Sequence, residues 1–262
     1  MARIVAVANQ KGGVGKTTTA INLAASLALA DQRVLLVDVD PQANLTSGLG
    51  QKGKAGPAGT IYNALTASET IPDPRPYVIS TGVDRLQLMP ADRNLTGAEI
   101  ELVTLGRREE RLRALIAPLR KDFDYIFIDC PPSLGLLTLN ALVAADAVLI
   151  PLHCEYFALE GLADLVGTMR RVRAALNPSL DIEGVLLTMF DERTNLGQQV
   201  ATDVRQFFKE KVFRTVIPRN VRLGEAPSHG MPVILYDVKS RGAEAYLALA
   251  REVLQRTAAT AA

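Results

Sequence analysis

A doubly wound α/β fold, a mainly parallel sheet with helices on both faces, is what this 262-residue sequence predicts. Three observations carry that reading. Short β-branched apolar runs alternate with longer helix-like segments. The runs are apolar at consecutive positions, as strands buried on both faces require. The helical segments are long enough to cross over between parallel strands. Hydrophobic residues make up 48% and charged residues 22%, which excludes a disordered, collagen-like or low-complexity chain. The length allows one large domain, burying about 70–75% of its unfolded surface, or two small ones; the α/β alternation accounts for most of the chain as one, so residues 1–262 are read as a single domain.

The elements follow in order. Strands are expected at residues 4–8, 34–37, 86–89, 125–128, 147–151 and 185–188, and helices at 17–30, 107–120, 159–176, 197–209 and 242–256. The last helix carries Ala245, Leu247, Leu249, Ala250, Val253 and Leu254, a face suited to packing on the core. Residues 51–76 are richest in Gly, Pro, Ser and Thr and read as an irregular excursion or a lid. No internal repeat stands out at solenoid periods.

With 29 Lys+Arg against 28 Asp+Glu, the net charge of +1 assigns no nucleic-acid or membrane partner by itself. Residues 190–262 carry net +3 and residues 1–189 net −2, so any anion-binding surface must be a local patch. Only Cys130 and Cys154 occur, with no disulfide framework and no paired metal spacing. No apolar run approaches the ~18–20 residues that span a bilayer. Met1-Ala2-Arg3 leads straight into the first strand, leaving no room for a cleavable signal. A reducing cytoplasm is the expected setting.

The strongest chemical signal is Lys11-Gly12-Gly13-Val14-Gly15-Lys16-Thr17-Thr18, between the first strand and the first helix. Glycines let successive backbone N–H groups turn onto an anion, the helix adds its positive end, and a lysine supplies a movable charge. The Thr17 hydroxyl is placed to hold Mg²⁺. The generic phosphate-loop pattern asks for glycine where Gln10 stands, and a second lysine, Lys11, is present instead. Two expected strands end in carboxylates: Asp38-Val39-Asp40-Pro41-Gln42 after the second, and Asp129-Cys130-Pro131-Pro132 after 125–128. The C-terminal edge of a parallel sheet is where such folds bind ligands. A helix cap or a turn is the alternative use of either aspartate.

KGGVGKTT resembles the deviant Walker A motif of the ParA/MinD family of P-loop ATPases. That resemblance implies ATP and Mg²⁺ as cofactors, with residues 11–18 around the phosphates. It implies that Lys16 binds phosphate in its own subunit, while Lys11 reaches across a homodimer to the partner's nucleotide. Asp129 then resembles a Walker B carboxylate that reaches Mg²⁺ through water, and Asp40 the group that activates the attacking water. Residues 186–196 and 215–230, together with 98–102 and 156–162, extend the resemblance over nearly the whole chain to the Soj-like ParA branch. On that resemblance Met189, Pro218 and Asn220 lie around the adenine, and Arg193 and Arg222 bind double-stranded DNA without sequence preference.

Such DNA binding is largely phosphate neutralisation, and a dimer duplicates every arginine. Lys209, Lys211, Arg214, Arg219, Lys239 and Arg241 are further local candidates, or else solvated charges and structural ion pairs. The resemblance also implies a ParB-like centromere-binding partner, weak hydrolysis that the partner stimulates, and a nucleoid-associated location. A membrane partner is not expected: the C-terminal stretch lacks the bulky apolar and basic faces of an interfacial helix. A MinD-like membrane-associated regulator is the competing reading. A relative of the nitrogenase iron protein is another, although Cys130 and Cys154 read better as small core residues than as cluster ligands.

Overall fold

The computed structural model describes residues 1–67, 70–156 and 158–261, so Phe157, within the quoted segment 156–162, lies outside the described residues. Seven strands make one sheet: β1 Arg3–Val7, β2 Val34–Asp38, β3 Ile79–Ser80, β4 Leu86–Met89, β5 Tyr125–Asp129, β6 Ala147–His153 and β7 Asp181–Thr188. The spatial order is β3-β4-β2-β5-β1-β6-β7, parallel throughout except for β3, which runs antiparallel to β4 at one edge.

Alternation along each strand feeds two cores. Ile4, Ala6, Leu35, Val37, Ile126, Ile128, Val148 and Ile150 face one side. Val5, Val7, Val34, Leu36, Tyr125, Phe127 and Leu149 face the other. Both faces must be covered by helices, which is why the strands read as continuous apolar runs.

The helices are α1 Lys16–Ala28, α2 Asn44–Gly48, α3 Ile61–Thr66, α4 Leu95–Glu101, α5 Arg111–Ile116, α6 Leu136–Ala144, α7 Ala158–Ala175, α8 Asn195–Phe208, α9 Val221–Glu225, α10 Val233–Tyr236 and α11 Arg241–Ala261. Helices α1, α2, α10 and α11 cover the second face, and α3 to α8 the first. The hydroxyls of Thr19 on α1 and Tyr246 on α11 share a buried hydrogen bond of 3.1 Å.

Two expectations need correction, and one helix was not foreseen. The helix expected at 107–120 is only the six residues of α5, followed by a 3₁₀ turn, Ala117–Lys121, that contains Pro118. Proline has no N–H to donate and ends the α-helical pattern there. Helix α6 was not anticipated at all. The excursion at 51–76 is not irregular throughout: Ile61–Thr66 forms α3, with Ile61, Ala64 and Leu65 fully buried and a capping box between Thr60 and Asn63. Arg111, buried on α5, secures it by donating to the carbonyls of Leu65 (2.6 Å) and Ala67 (2.5 Å).

Register positions the site. Val7 and Asp38 both pair with Asp129, so β1, β2 and β5 end side by side at one edge of the sheet. The chain leaves β1 there, between its neighbours β5 and β6, and crosses through α1 to β2 beyond β5.

Candidate active site

The turn from β1 into α1 is shaped by left-handed backbone at Gly13 (φ 72°) and Gly15 (φ 85°). A Cβ at Gly13 would meet nothing, so the demand for glycine there is conformational. The turn is braced by three hydrogen bonds from Asn9 and Thr188. Asn9 accepts from the Lys11 N–H (3.0 Å) and donates to the Pro151 carbonyl at β6 (2.8 Å). Thr188, at the end of β7, donates to the Val14 carbonyl (2.8 Å). Gly15 caps α1 without a side-chain acceptor, and the first turn of α1 holds no acidic residue. The positive end of α1 therefore faces the loop uncompensated, as an anion cradle requires.

Lys16 is buried, and its ammonium donates to the Lys11 carbonyl at 3.1 Å. Burial pulls its pKa below the ordinary lysine value, while Asp129, Cys130 and Asp40 oppose that shift. Thr17 and Thr18 are half-buried at the start of α1.

The carboxylates divide by environment. Asp38 is buried with a full set of donors: Thr46 N–H (2.9 Å), the Thr46 hydroxyl (2.7 Å) and Asp40 N–H (3.2 Å). Burial pushes its pKa up to about 6. Its part is to tie the β2 exit to α2. Asp40 accepts from the Gln42 N–H (2.9 Å), an Asx turn that holds its carboxylate near Lys16 and Asp129. Asp129 is fully buried, and neither of its oxygens has a hydrogen-bond partner. Burial and then the charge of Asp38 raise its pKa well above the usual range, against the opposing Thr17 hydroxyl and Lys16 ammonium. A buried carboxylate without a donor, beside a threonine hydroxyl, is a hard-oxygen set that fits Mg²⁺ completed by phosphate oxygens and water.

Lys11 is turned away from its own loop. Its ammonium pairs with Glu155 Oε2, and the other oxygen of Glu155 lies 2.9 Å from His153 Nδ1. Glu155, Asn9 and Thr188 were not singled out from the sequence. Glu155 and Thr188 act on the loop from distant positions, and Asn9, although next to the loop in sequence, braces it through the Pro151 carbonyl 142 positions away.

Met189 takes left-handed backbone (φ 48°) just past β7. Next to it, Phe190 N–H donates to the Ile217 carbonyl (3.0 Å), and Phe190 pairs with Pro218. The structure thus brings Met189 and Pro218 to one corner. Asn220, two residues on, caps α9 by accepting from the Arg222 N–H (2.9 Å). An open groove of about 800 Å³ adjoins this corner, lined in part by Phe190, Arg193, Val216, Pro218 and Arg241.

Arg193 and Arg222 stand on different segments, each already engaged. Arg193, with a side chain 89% exposed, grips Asp191 through two hydrogen bonds of 2.8 and 2.7 Å. Arg222 pairs with Glu225 (2.7 Å) and Asp237 (3.2 Å). Lys211 pairs with Asp181 (2.7 Å). Cys130 and Cys154 are buried free thiols, and burial pushes Cys154 up to about 11. Among the described residues, no helix is long and apolar enough to cross a membrane.

A family described as an AAA domain matches residues 2–182. The chromosome partitioning protein ParA of Myxococcus xanthus is 59% identical over 254 residues, covering 97% of this chain and 88% of that protein. The sporulation initiation inhibitor protein Soj of Bacillus subtilis is 57% identical, covering 97% and 98%. Among solved structures, cobyrinic acid a,c-diamide synthase from Mycobacterium smegmatis, with bound ATP analogue and magnesium, superposes with a TM-score of 0.83. It is 38% identical, covering 97% of this chain and 95% of that one.

Proposed function

The chain belongs to the ParA/Soj family of chromosome-partitioning ATPases, and from that premise we propose that it is a nucleotide-gated DNA-binding switch. It binds Mg-ATP, closes into a homodimer, holds DNA without sequence preference and lets go when hydrolysis reopens the dimer. The observation that carries the nucleotide reading is Asp129, a buried and unpaired carboxylate facing Thr17 and Lys16 across the glycine loop.

Each residue has a chemical task. The loop N–H groups and Lys16 neutralise the terminal phosphates of ATP. Thr17 and Asp129, the latter through water, hold Mg²⁺, which when bound supplies positive charge to the phosphate oxygens. Asp40 orients the attacking water and accepts its proton, so that ATP and water give ADP and phosphate. Met189, Pro218 and Asn220 enclose the adenine. Lys11 leaves its own loop to meet the partner's phosphates. In the cytoplasm, Arg193 and Arg222, doubled by dimerisation, attach the protein to the nucleoid, and a ParB-like partner stimulates the otherwise weak hydrolysis.

The test separates nucleotide binding from dimerisation. Lys16→Ala is expected to weaken ATP binding by at least about tenfold, the range of one charge-assisted hydrogen bond. Lys11→Ala is expected to retain ATP affinity while remaining monomeric in sedimentation with Mg-ATP. Wild-type ATP affinity in Lys16→Ala would overturn the phosphate assignment.

A further inference from the structure

We propose that Glu155 is a positioning residue for Lys11, holding its ammonium in cis until phosphate of a second subunit displaces it. The inference rests on the trans role of Lys11 given above. It begins from what Lys11 touches: Glu155, from the segment just after β6, and not its own phosphate loop. The backbone beneath is fixed, because Asn9 binds the Lys11 N–H and is itself tied to Pro151 on β6. The rise of the Lys11 side chain from that fixed point therefore leads to one carboxylate 144 positions away. Glu155 is in turn oriented by His153 on its other oxygen, and Arg219 adds positive charge from the Pro218 segment.

The strength of this contact suits a latch. Side-chain exposures of 33% for Lys11 and 47% for Glu155 make it a solvent-accessible pair, weak by the standard of such pairs. A phosphate carrying more than one charge and offering several acceptors outcompetes a single screened carboxylate. Closing a dimer breaks two such contacts, one per subunit, so the cis hold raises the concentration at which the ATP-bound protein pairs. The same hold keeps Lys11 off its own nucleotide, which the cis lysine, Lys16, already serves.

The experiment compares Glu155→Gln and Glu155→Asp with wild type. ATP affinity is read with a fluorescent ATP analogue at protein concentrations far below pairing, and the dimer midpoint by sedimentation in Mg-ATP. Glu155→Gln is expected to lower the dimer dissociation constant about three- to tenfold, two surface pairs' worth, with monomer ATP affinity and melting temperature unchanged. Glu155→Asp, which keeps the charge on a shorter arm, is expected to fall between. A merely structural residue would shift stability and affinity together, and would weaken the dimer instead of tightening it. Wild-type or weaker pairing in Glu155→Gln overturns the inference when Lys11→Ala abolishes dimers in the same assay. If Lys11→Ala pairs normally, the trans role itself falls, and this inference with it.

Discussion

Asp129 is a carboxylate that the folded chain desolvates and leaves without a hydrogen-bond partner, which costs stability. Asp129→Asn is expected to raise the melting temperature at pH 7 by roughly 2–4 °C, corresponding to about 1 kcal/mol, while ATP affinity loses its Mg²⁺ dependence. Asp38 has the same sign of effect. Its folded pKa of about 6 lies above its ordinary 3.8. Between those values the native state holds more protons than the unfolded chain, so stability falls as pH rises from about 4 to about 6. Glu109, Glu110 and Asp191, with depressed values, act in the opposite sense at lower pH. Melting curves from pH 4.5 to 7 check this, and a rising curve over that interval would contradict it. At this scale the glycine loop was legible because its chemistry is local in sequence. The division of labour between Asp38 and Asp40 was not, since only the fold brings Thr46 onto Asp38.

Elements were legible where burial is symmetrical along a strand, as in the fully buried β2 and β5. Strand β7 starts four residues before the apolar run that signals it, because Asp181 and Glu183 are held by Lys211 and Arg3. Helix α6 escaped notice because Leu137, Thr138 and residues 140–144 are all buried, which leaves no polar face to mark a helical period. The same β7 segment supplies a prediction. A Cβ on Gly184 would sit 2.4 Å from the ring of Phe213, itself fully buried beneath the Arg256 guanidinium. Gly184→Ala is expected to destabilise by about 1–3 kcal/mol through overpacking, read as a melting temperature lower by several degrees with ATP affinity retained. An unchanged melting temperature would mean that β7 and the Phe213 segment yield freely.

On the scale of the molecule, a net charge of +1 hides any nucleic-acid surface. The family was legible from motifs spread along the chain, but the ionic state of its arginines was not. Arg193 and Arg222 each hold a carboxylate, so on the proposed function DNA phosphates would compete with Asp191, Glu225 and Asp237. Arg193→Glu and Arg222→Glu are therefore expected to keep ATP-dependent dimers while losing DNA across a salt series. Unchanged DNA affinity in either would misplace the patch. The most direct measurement is a mobility shift on plasmid DNA of arbitrary sequence, using wild type with ATP, ADP or no nucleotide and Asp40→Ala with ATP. The account predicts retardation with ATP alone, strongest for Asp40→Ala, which is expected to dimerise yet hydrolyse slowly, and weakened by salt. Absence of retardation under every condition, with ATP-dependent dimers confirmed in the same samples, would contradict it.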